Sequence, residues 1–387
     1  MPLDFIDLQD HINSYTQDVL HFQEQIKEQT RQALEDLQRF SLDLQVLRIH
    51  GERAQKRVAL PVTENPSESI SSSLPDINYN LVSIDGSQIV PDPHAFPLLA
   101  LVNIGIIQFP AGQHPLKPIT RSKLYTYKEL FEEANLISED LVNLDRDVME
   151  MEYLKEYSLK TSQPTIALRD GMLELYHEPR SENWYREKVE EYTRYLNELK
   201  EHNVITAGYV DKPRSRSLIT LIDSRLEQSA GSNGVVSRFP NITDTHVFSL
   251  LLEPAQRSAI FETRVPAKIP PHNQEQKPIF YFFYLNVSQT VKPWVVRVEI
   301  PDWVASDDVM VNLLHFSLLE QCAIMGSKPY PYCLHRAHET AVVHQHEKTE
   351  LENQITSRLI QAGAEMEEKS YKQAAKDLAP HTKTEGR

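Results

Sequence analysis

Two aspartates pose the first chemical question. Asp85 sits in "LVSIDGSQIV" (81–90) and Asp170 in "PTIALRDGML" (164–173), each after an apolar run and just before a glycine. Such short apolar runs read as strands, and "TIAL" as one buried on both faces. Taken alone, each pair is most simply an Asp-Gly turn. If the two strands are parallel neighbours, both carboxylates leave the sheet at one edge, where ligand sites of open α/β sheets lie. Two carboxylates held close repel each other unless they share a cation. Hard divalent ions such as Mg²⁺ or Mn²⁺ prefer oxygen donors of this kind.

A third carboxylate is available in "DRDVMEMEYLKEY" (145–157). Glu150 lies four residues after Arg146 and four before Leu154, on one helical stripe that can face the sheet. Glu152 is two residues on, roughly 200° around the helix, so only one of the two faces the site. For either residue alone a solvated acidic face is the simpler reading. Near the C-terminus, "KPYPYCLHRAHETA" (328–341) supplies Tyr330, His335 and His338. His338 suits a metal ligand or a general acid/base, or simply the start of an apolar helix. His344 and His346 extend the cluster, but there is no HExxH spacing and no cysteine partner, so no zinc site is expected.

Two basic stretches remain. Lys212, Arg214 and Arg216 follow a strand in "GYVDKPRSRS" (208–217), and Arg297 and Glu299 share one side of a strand in "VVRVEIPDW" (295–303). Both could meet phosphates. For an Arg–Glu pair spaced by two, a structural ion pair is the simpler expectation.

These residues need elements to hold them. Residues 5–50 lack glycine and proline and carry Ile12, Tyr15, Val19, Phe22 and Ile26, then Ala33, Leu37, Phe40, Leu44 and Leu47, at steps of three and four. This predicts one long helix, packed along its own domain or paired in a hairpin or coiled coil with a second subunit. Residues 61–76 are rich in Pro and Ser and read as a linker. Strands are expected at 81–90 and 98–109, as an antiparallel pair, and then at 164–170, 204–210, 245–252, 278–287 and 294–301. Helices are expected within 126–162, 182–202 and 309–325, and in a final segment; the last stretch of about 20 residues is too poor in apolar side chains to order.

Composition narrows the class. The chain has 387 residues, 40% of them hydrophobic, and a net charge of −15. That charge weighs against a protein that coats nucleic acid with a broad basic surface, yet permits an acidic centre masked by cations beside a local basic groove. No run approaches the ~18 apolar residues of a membrane span, and the acidic start "MPLDFIDLQDH" is no secretory signal. Cys322 and Cys333 suggest a reducing compartment, the cytoplasm by default. No GxxxxGK[ST] phosphate loop is present, so any ATP-driven motor is expected to come from a partner.

An apolar strand ending Ile-Asp-Gly-Ser, a Glu-bearing helix and a second strand ending Asp-Gly, followed by "GYVDKPRS", "RVEIPDW" and "PYPYCLHRAH", resemble the NurA nuclease family in order and spacing across residues 78–345. The second motif departs from the family's usual form, reading Arg-Asp-Gly-Met. The resemblance implies an α/β fold with an RNase H-like mixed sheet flanked by helices and a long N-terminal helical extension. In that frame residues 1–60 are the extension, 61–76 the linker, 77–346 the nuclease domain and 347–387 a C-terminal helix and charged tail. It implies a Mn²⁺- or Mg²⁺-dependent DNA nuclease, a 5′-to-3′ exonuclease with single-strand endonuclease activity. Such a protein would be a homodimer docked on a HerA-type hexameric ATPase in DNA end resection. By the same resemblance Asp85, Glu150, Asp170 and His338 are metal ligands, with Glu152 as the substitute helix residue, and Tyr330 is catalytic. Two ions ~3.5–4 Å apart would then serve the displacement. The alternatives are a non-catalytic adaptor of the same ATPase and a phosphohydrolase acting on small nucleotides.

Overall fold

In the computed structural model, the described residues are 5–75, 77–132, 135–160, 164–175, 183–230, 237–265 and 278–364. The expected frayed tail lies outside them. In chain order the elements are α1 (Gln9–Phe40), α2 (Leu44–Arg53), β1 (Val58–Pro61), β2 (Ser69–Ser71), β3 (Asn80–Ile89), β4 (Leu101–Phe109), β5 (Ile119–Leu124), β6 (Phe131–Glu132) and β7 (Asn135–Leu136). Next come α3 (Glu139–Ser158), β8 (Thr165–Asp170), α4 (Asn183–Glu201), β9 (Ile205–Val210), α5 (Ser217–Ala230), α6 (Asp244–Leu251), β10 (Gln256–Ser258) and β11 (Phe261–Arg264). The chain closes with β12 (Phe280–Asn286), β13 (Val295–Pro301), α7 (Asp302–Ala305), α8 (Asp308–Ile324), α9 (Tyr332–Ala341) and α10 (Gln345–Gln361).

Two compact units form, each from separate stretches of chain. Unit 1 comprises Met1–Ile77, Asp170–Glu174 and Ile205–Tyr332; unit 2 comprises Asn78–Arg169, Leu175–Val204 and Cys333–Arg387.

Unit 1 contains the antiparallel strand order β1-β11-β12-β13-β9, with β10 bridging β12 and β2. One face is covered by α1, α2, α5 and α6, whose Leu37, Leu47, Leu221 and Phe248 join Phe261, Phe282 and Tyr284 in a buried core. The expected single helix over 5–50 is two helices. The break falls at residues 41–43, where Asp43 caps α2 by accepting the Val46 N–H at 3.0 Å. The apolar seam of α1 divides as well: Ala33 and Leu37 are buried, whereas Tyr15 is 70% exposed and Ile12 and Phe22 are exposed too. The Pro/Ser-rich stretch is built into the fold, since Glu64 pairs with Arg257 at 2.7 Å and Ser69–Ser71 forms β2. The expected strand at 245–252 is the helix α6, started by a reciprocal cap between Thr243 and His246 that overrides the β-favouring composition.

Unit 2 contains the mixed order β5-β4-β3-β8. β3 pairs antiparallel with β4, β4 antiparallel with β5, and β3 parallel with β8, which the chain reaches through α3. Three antiparallel strands, a helical crossover and a parallel fourth strand beside the first form the RNase H-like α/β core. β6 and β7 occupy part of the stretch expected as helix, and α3 starts only at Glu139, after Ser138 accepts the Leu141 N–H at 3.3 Å. α9 packs on one face of β3 and β4, and α3 on the other.

Candidate active site

The first Asp-Gly is no turn. β3 runs through Asp85 and Gly86 to Ile89 in unbroken register, with Asp85 opposite Gly105 of β4. Alternation therefore sends Ser83, Asp85 and Ser87 to one face and Ile84, Gly86 and Gln88 to the other.

The first set fastens α9. Ser83 Oγ donates to the Cys333 carbonyl at 2.9 Å, and Ser87 Oγ donates to the carbonyl of Ala341. Asn103 Nδ2 on β4 donates to that same Ala341 oxygen at 2.7 Å. An otherwise orphaned carbonyl at the helix end is thus satisfied by the sheet. Gly105 permits the close approach, because a Cβ there would lie 2.3 Å from the Ala337 carbonyl oxygen.

Between the two fasteners, His338 Nδ1 lies 2.7 Å from Asp85 Oδ2. An ionised carboxylate only accepts, so Nδ1 carries the proton and Nε2 of the neutral ring holds the lone pair. The Asp85 side chain is 12% exposed and that of His338 59%, so a sheltered carboxylate orients an imidazole open to solvent. Asp85 Oδ1 accepts the N–H of Gly86 at 2.9 Å.

The second set meets α3. A Cβ on Gly86 would lie 2.5 Å from Glu150 Oε1 and 2.8 Å from Arg146 Cγ, so glycine here admits the helix rather than bending the chain. Arg169 of β8 donates through Nε to Glu150 Oε2 and through Nη2 to Asp147 Oδ1. Arg146 lies 3.4 Å from Glu150 Oε1 and donates to Gln88 Oε1 at 2.9 Å. Two acids and two guanidiniums thus balance one another under the sheet. Burial pushes the Glu150 carboxyl up to about 7, against the pull of Arg169 and with help from the Asp147 charge. Glu150 therefore faces away from Asp85 and His338 and is engaged by arginines. Glu152 is half-buried on α3.

Asp170 and Tyr330 belong to unit 1. Asp170 does end its strand in a turn: Gly171 has φ +87° and donates its N–H to the Tyr209 carbonyl at 2.8 Å. The Tyr330 ring stands edge-on to Tyr209 with centroids 5.4 Å apart. Among the other sequence candidates, Arg216 is structural, donating to the carbonyls of Phe239 and Ile242 at 2.6 and 3.0 Å. Arg297 and Glu299 form a buried pair at 2.8 Å, as the simpler reading has it. His335 approaches Glu339 at 3.5 Å, and His344 starts α10 with its ring stacked on His346.

Sequence reasoning missed Ser83 and Asn103. For Ser83 the signal was present in the strict alternation Ser-Ile-Asp-Gly-Ser, three polar residues on one face of an otherwise apolar strand. Asp85 and His338 offer an oxygen and a nitrogen of types that Mn²⁺ accepts. They are two donors, and no group of three or more His, Cys, Asp or Glu placed to hold an ion is present among the described residues.

No curated protein matches the sequence. Among solved structures, the chain is similar to the Argonaute of Aquifex aeolicus, with 12% identity and a TM-score of 0.32 over 70% of this chain and 29% of that one. It is also similar to Drosophila Piwi, with 12% identity and a TM-score of 0.31 over 70% of this chain and 30% of that one. The chain thus spans less than a third of the length of these two proteins. The profile of the NurA domain, a nuclease-related domain, matches residues 79–343, from the start of β3 to just past α9. That match covers well over half of the sequence, and the chain belongs to the NurA family.

Proposed function

We propose that the protein is a divalent-cation-dependent DNA nuclease in which Asp85 and His338 act together. The observation that supports this reading is the 2.7 Å contact between them in a chain of the NurA family. Asp85 holds the His338 ring and its tautomer, leaving Nε2 to take a proton from an attacking water or to bind a cation. A bound Mn²⁺ or Mg²⁺ would supply positive charge at the scissile phosphate, with His338 Nε2, oriented by Asp85, as a donor from unit 2. Asp170 and Tyr330 enter through the family resemblance. So do 5′-to-3′ polarity, single-strand cleavage, a role in DNA end processing and repair, a homodimer and a HerA-type ATPase partner, while a cytoplasmic location follows from the cysteine usage. Among the described residues, no helix is long and apolar enough to cross a membrane.

The test is cleavage of 5′- and 3′-labelled oligonucleotides with Mn²⁺, Mg²⁺ or EDTA, by the wild type and by Asp85→Asn and Asp170→Asn. Cation-dependent degradation lost in both variants supports the reading. A second reading, a non-catalytic adaptor of a DNA-translocating ATPase, is favoured by the engagement of Glu150 with Arg169. A folded wild type that cleaves nothing under any cation, alone or with the ATPase, would select it.

A further inference from the structure

The segment that follows Asp170 is held by an unusual amount of structure, all within unit 1. Gly171 turns in the left-handed region, and its N–H reaches the Tyr209 carbonyl at 2.8 Å. The chain then crosses Gly208 of β9 so closely that a Cβ there would lie 2.6 Å from the Gly171 oxygen and 2.9 Å from Leu173 N. Both backbone N–H groups of the next step, Leu173 at 3.0 Å and Glu174 at 3.3 Å, donate to one oxygen, Glu299 Oε2. Glu299 stands opposite Gly208 in the β9–β13 pairing and is 1% exposed. Its other oxygen accepts Arg297 Nε at 2.9 Å. The Arg297 guanidinium lies 3.5 Å from the centroid of the Phe282 ring and donates to Thr263. The Glu174 carboxylate, finally, pairs with Arg57.

A buried carboxylate that accepts two successive main-chain N–H groups fixes the backbone, since moving either donor breaks a charge-assisted hydrogen bond. A simple ion pair between neighbouring strand residues needs no such strap. We propose that Glu299 is a positioning residue for Asp170: its carboxylate clamps residues 171–174 over Gly208 and thereby fixes where the Asp170 carboxylate points. The proposal rests on the nuclease reading of Asp170. Glu299 acts through the strap and touches no reacting atom.

The test compares the wild type, Glu299→Gln, and the double variant Arg297→Met/Glu299→Met in the full chain. The double variant removes both buried charges together, a change that buried pairs often tolerate, but takes away the carboxylate to which the Leu173 and Glu174 N–H groups donate. Three quantities are read: thermal midpoint, amide exchange at Leu173 and Glu174, and kcat and KM for oligonucleotide cleavage. For the double variant, a lowered but still cooperative midpoint is expected, with exchange at the two amides faster by about tenfold or more. Its kcat should fall by roughly 10²-fold with KM little changed, as for a misplaced catalytic group. Glu299→Gln keeps an acceptor oxygen for the strap but takes the carboxylate from Arg297, so its midpoint should fall, whereas exchange at the two amides and kcat per folded molecule should stay near wild type. A folded double variant with wild-type kcat, or with wild-type exchange at both amides, overturns the proposal. A wild type that cleaves no DNA sinks the nuclease reading and the positioning role with it. The exchange rates would then still report whether Glu299 holds the strap.

Discussion

Asp85 and Glu150 lie on opposite faces of one sheet. Gly86, the residue next to Asp85, turns its missing side chain toward Glu150, and a Cβ there would lie 2.5 Å from Glu150 Oε1. The two carboxylates therefore have different neighbours and different chemistry. Asp85 orients a solvent-facing imidazole, and Glu150 accepts from the buried Arg169 beside the half-buried Arg146.

The Asp85–His338 pair predicts a split between activity and stability. Asp85→Asn leaves an amide that no longer selects the Nδ1–H tautomer, and His338→Ala removes the ring. Each should lower cleavage by about 10²–10⁴-fold. The thermal midpoint should move little for His338→Ala, because that side chain is mostly exposed. Cleavage within threefold of wild type in either variant would remove that residue from the mechanism.

Gly105→Ala should harm both. The added methyl would meet the Ala337 carbonyl at 2.3 Å and the Ala341 N at 2.7 Å, both backbone, so α9 must lift from the sheet. A destabilisation of about 1–3 kcal/mol is expected from overpacking. A urea titration measures it. Activity should fall further than the folded fraction does, since His338 moves with α9. Loss of activity in strict proportion to unfolding would show that the spacing of α9 is irrelevant to the site.

Glu150 gives a pH signature. Burial raises its folded-state pKa to about 7 from an ordinary value of 4.5, so between those values the native state holds the extra proton. Stability should fall as pH rises through that window. Glu150→Gln should flatten this slope whatever it does to the absolute stability. Urea midpoints from pH 4.5 to 7.5 decide the matter, and equal slopes in wild type and variant would assign the effect to another group.

His315 works the other way. Burial lowers its pKa from 6.5 to about 4, although its Nε2–H donates to the Ala255 carbonyl at 3.0 Å. The unfolded chain takes up the proton first, so stability should fall as pH drops from 6.5 toward 4. His315→Gln keeps a donor for Ala255 and removes the titration. Its urea midpoints should lose less than those of the wild type across that window; an unchanged acid slope would exclude His315 as its source.

Much was legible before any fold was known. The apolar runs around Asp85 and Asp170 are strands, because such runs can be satisfied only by burial. β3 and β4 are an antiparallel pair because a short connection allows little else. The β3–β8 pairing is parallel, as the shared Asp-Gly ends suggested. Two sites misled local reading. "THVFSLLL" is β-favouring in composition yet helical, because Thr243 and His246 cap it. "IDGS" looks like a turn yet continues a strand, because Gly86 is needed for the approach of α3.

The sequence by itself determined which residues were available: two aspartates after apolar runs, a helix rich in acids, and a late histidine. It also determined the alternation that gives β3 a polar face of Ser83, Asp85 and Ser87. Only the tertiary structure decided how those residues are used. Asp85 and His338 are 253 residues apart in the chain, and no local pattern says which late helix lies over β3. The face of the sheet that received Glu150 was likewise fixed by Arg169, which α3 had to neutralise once β8 was buried. A charge in water has no preferred partner, whereas a buried one must have one, and burial is a property of the assembled fold.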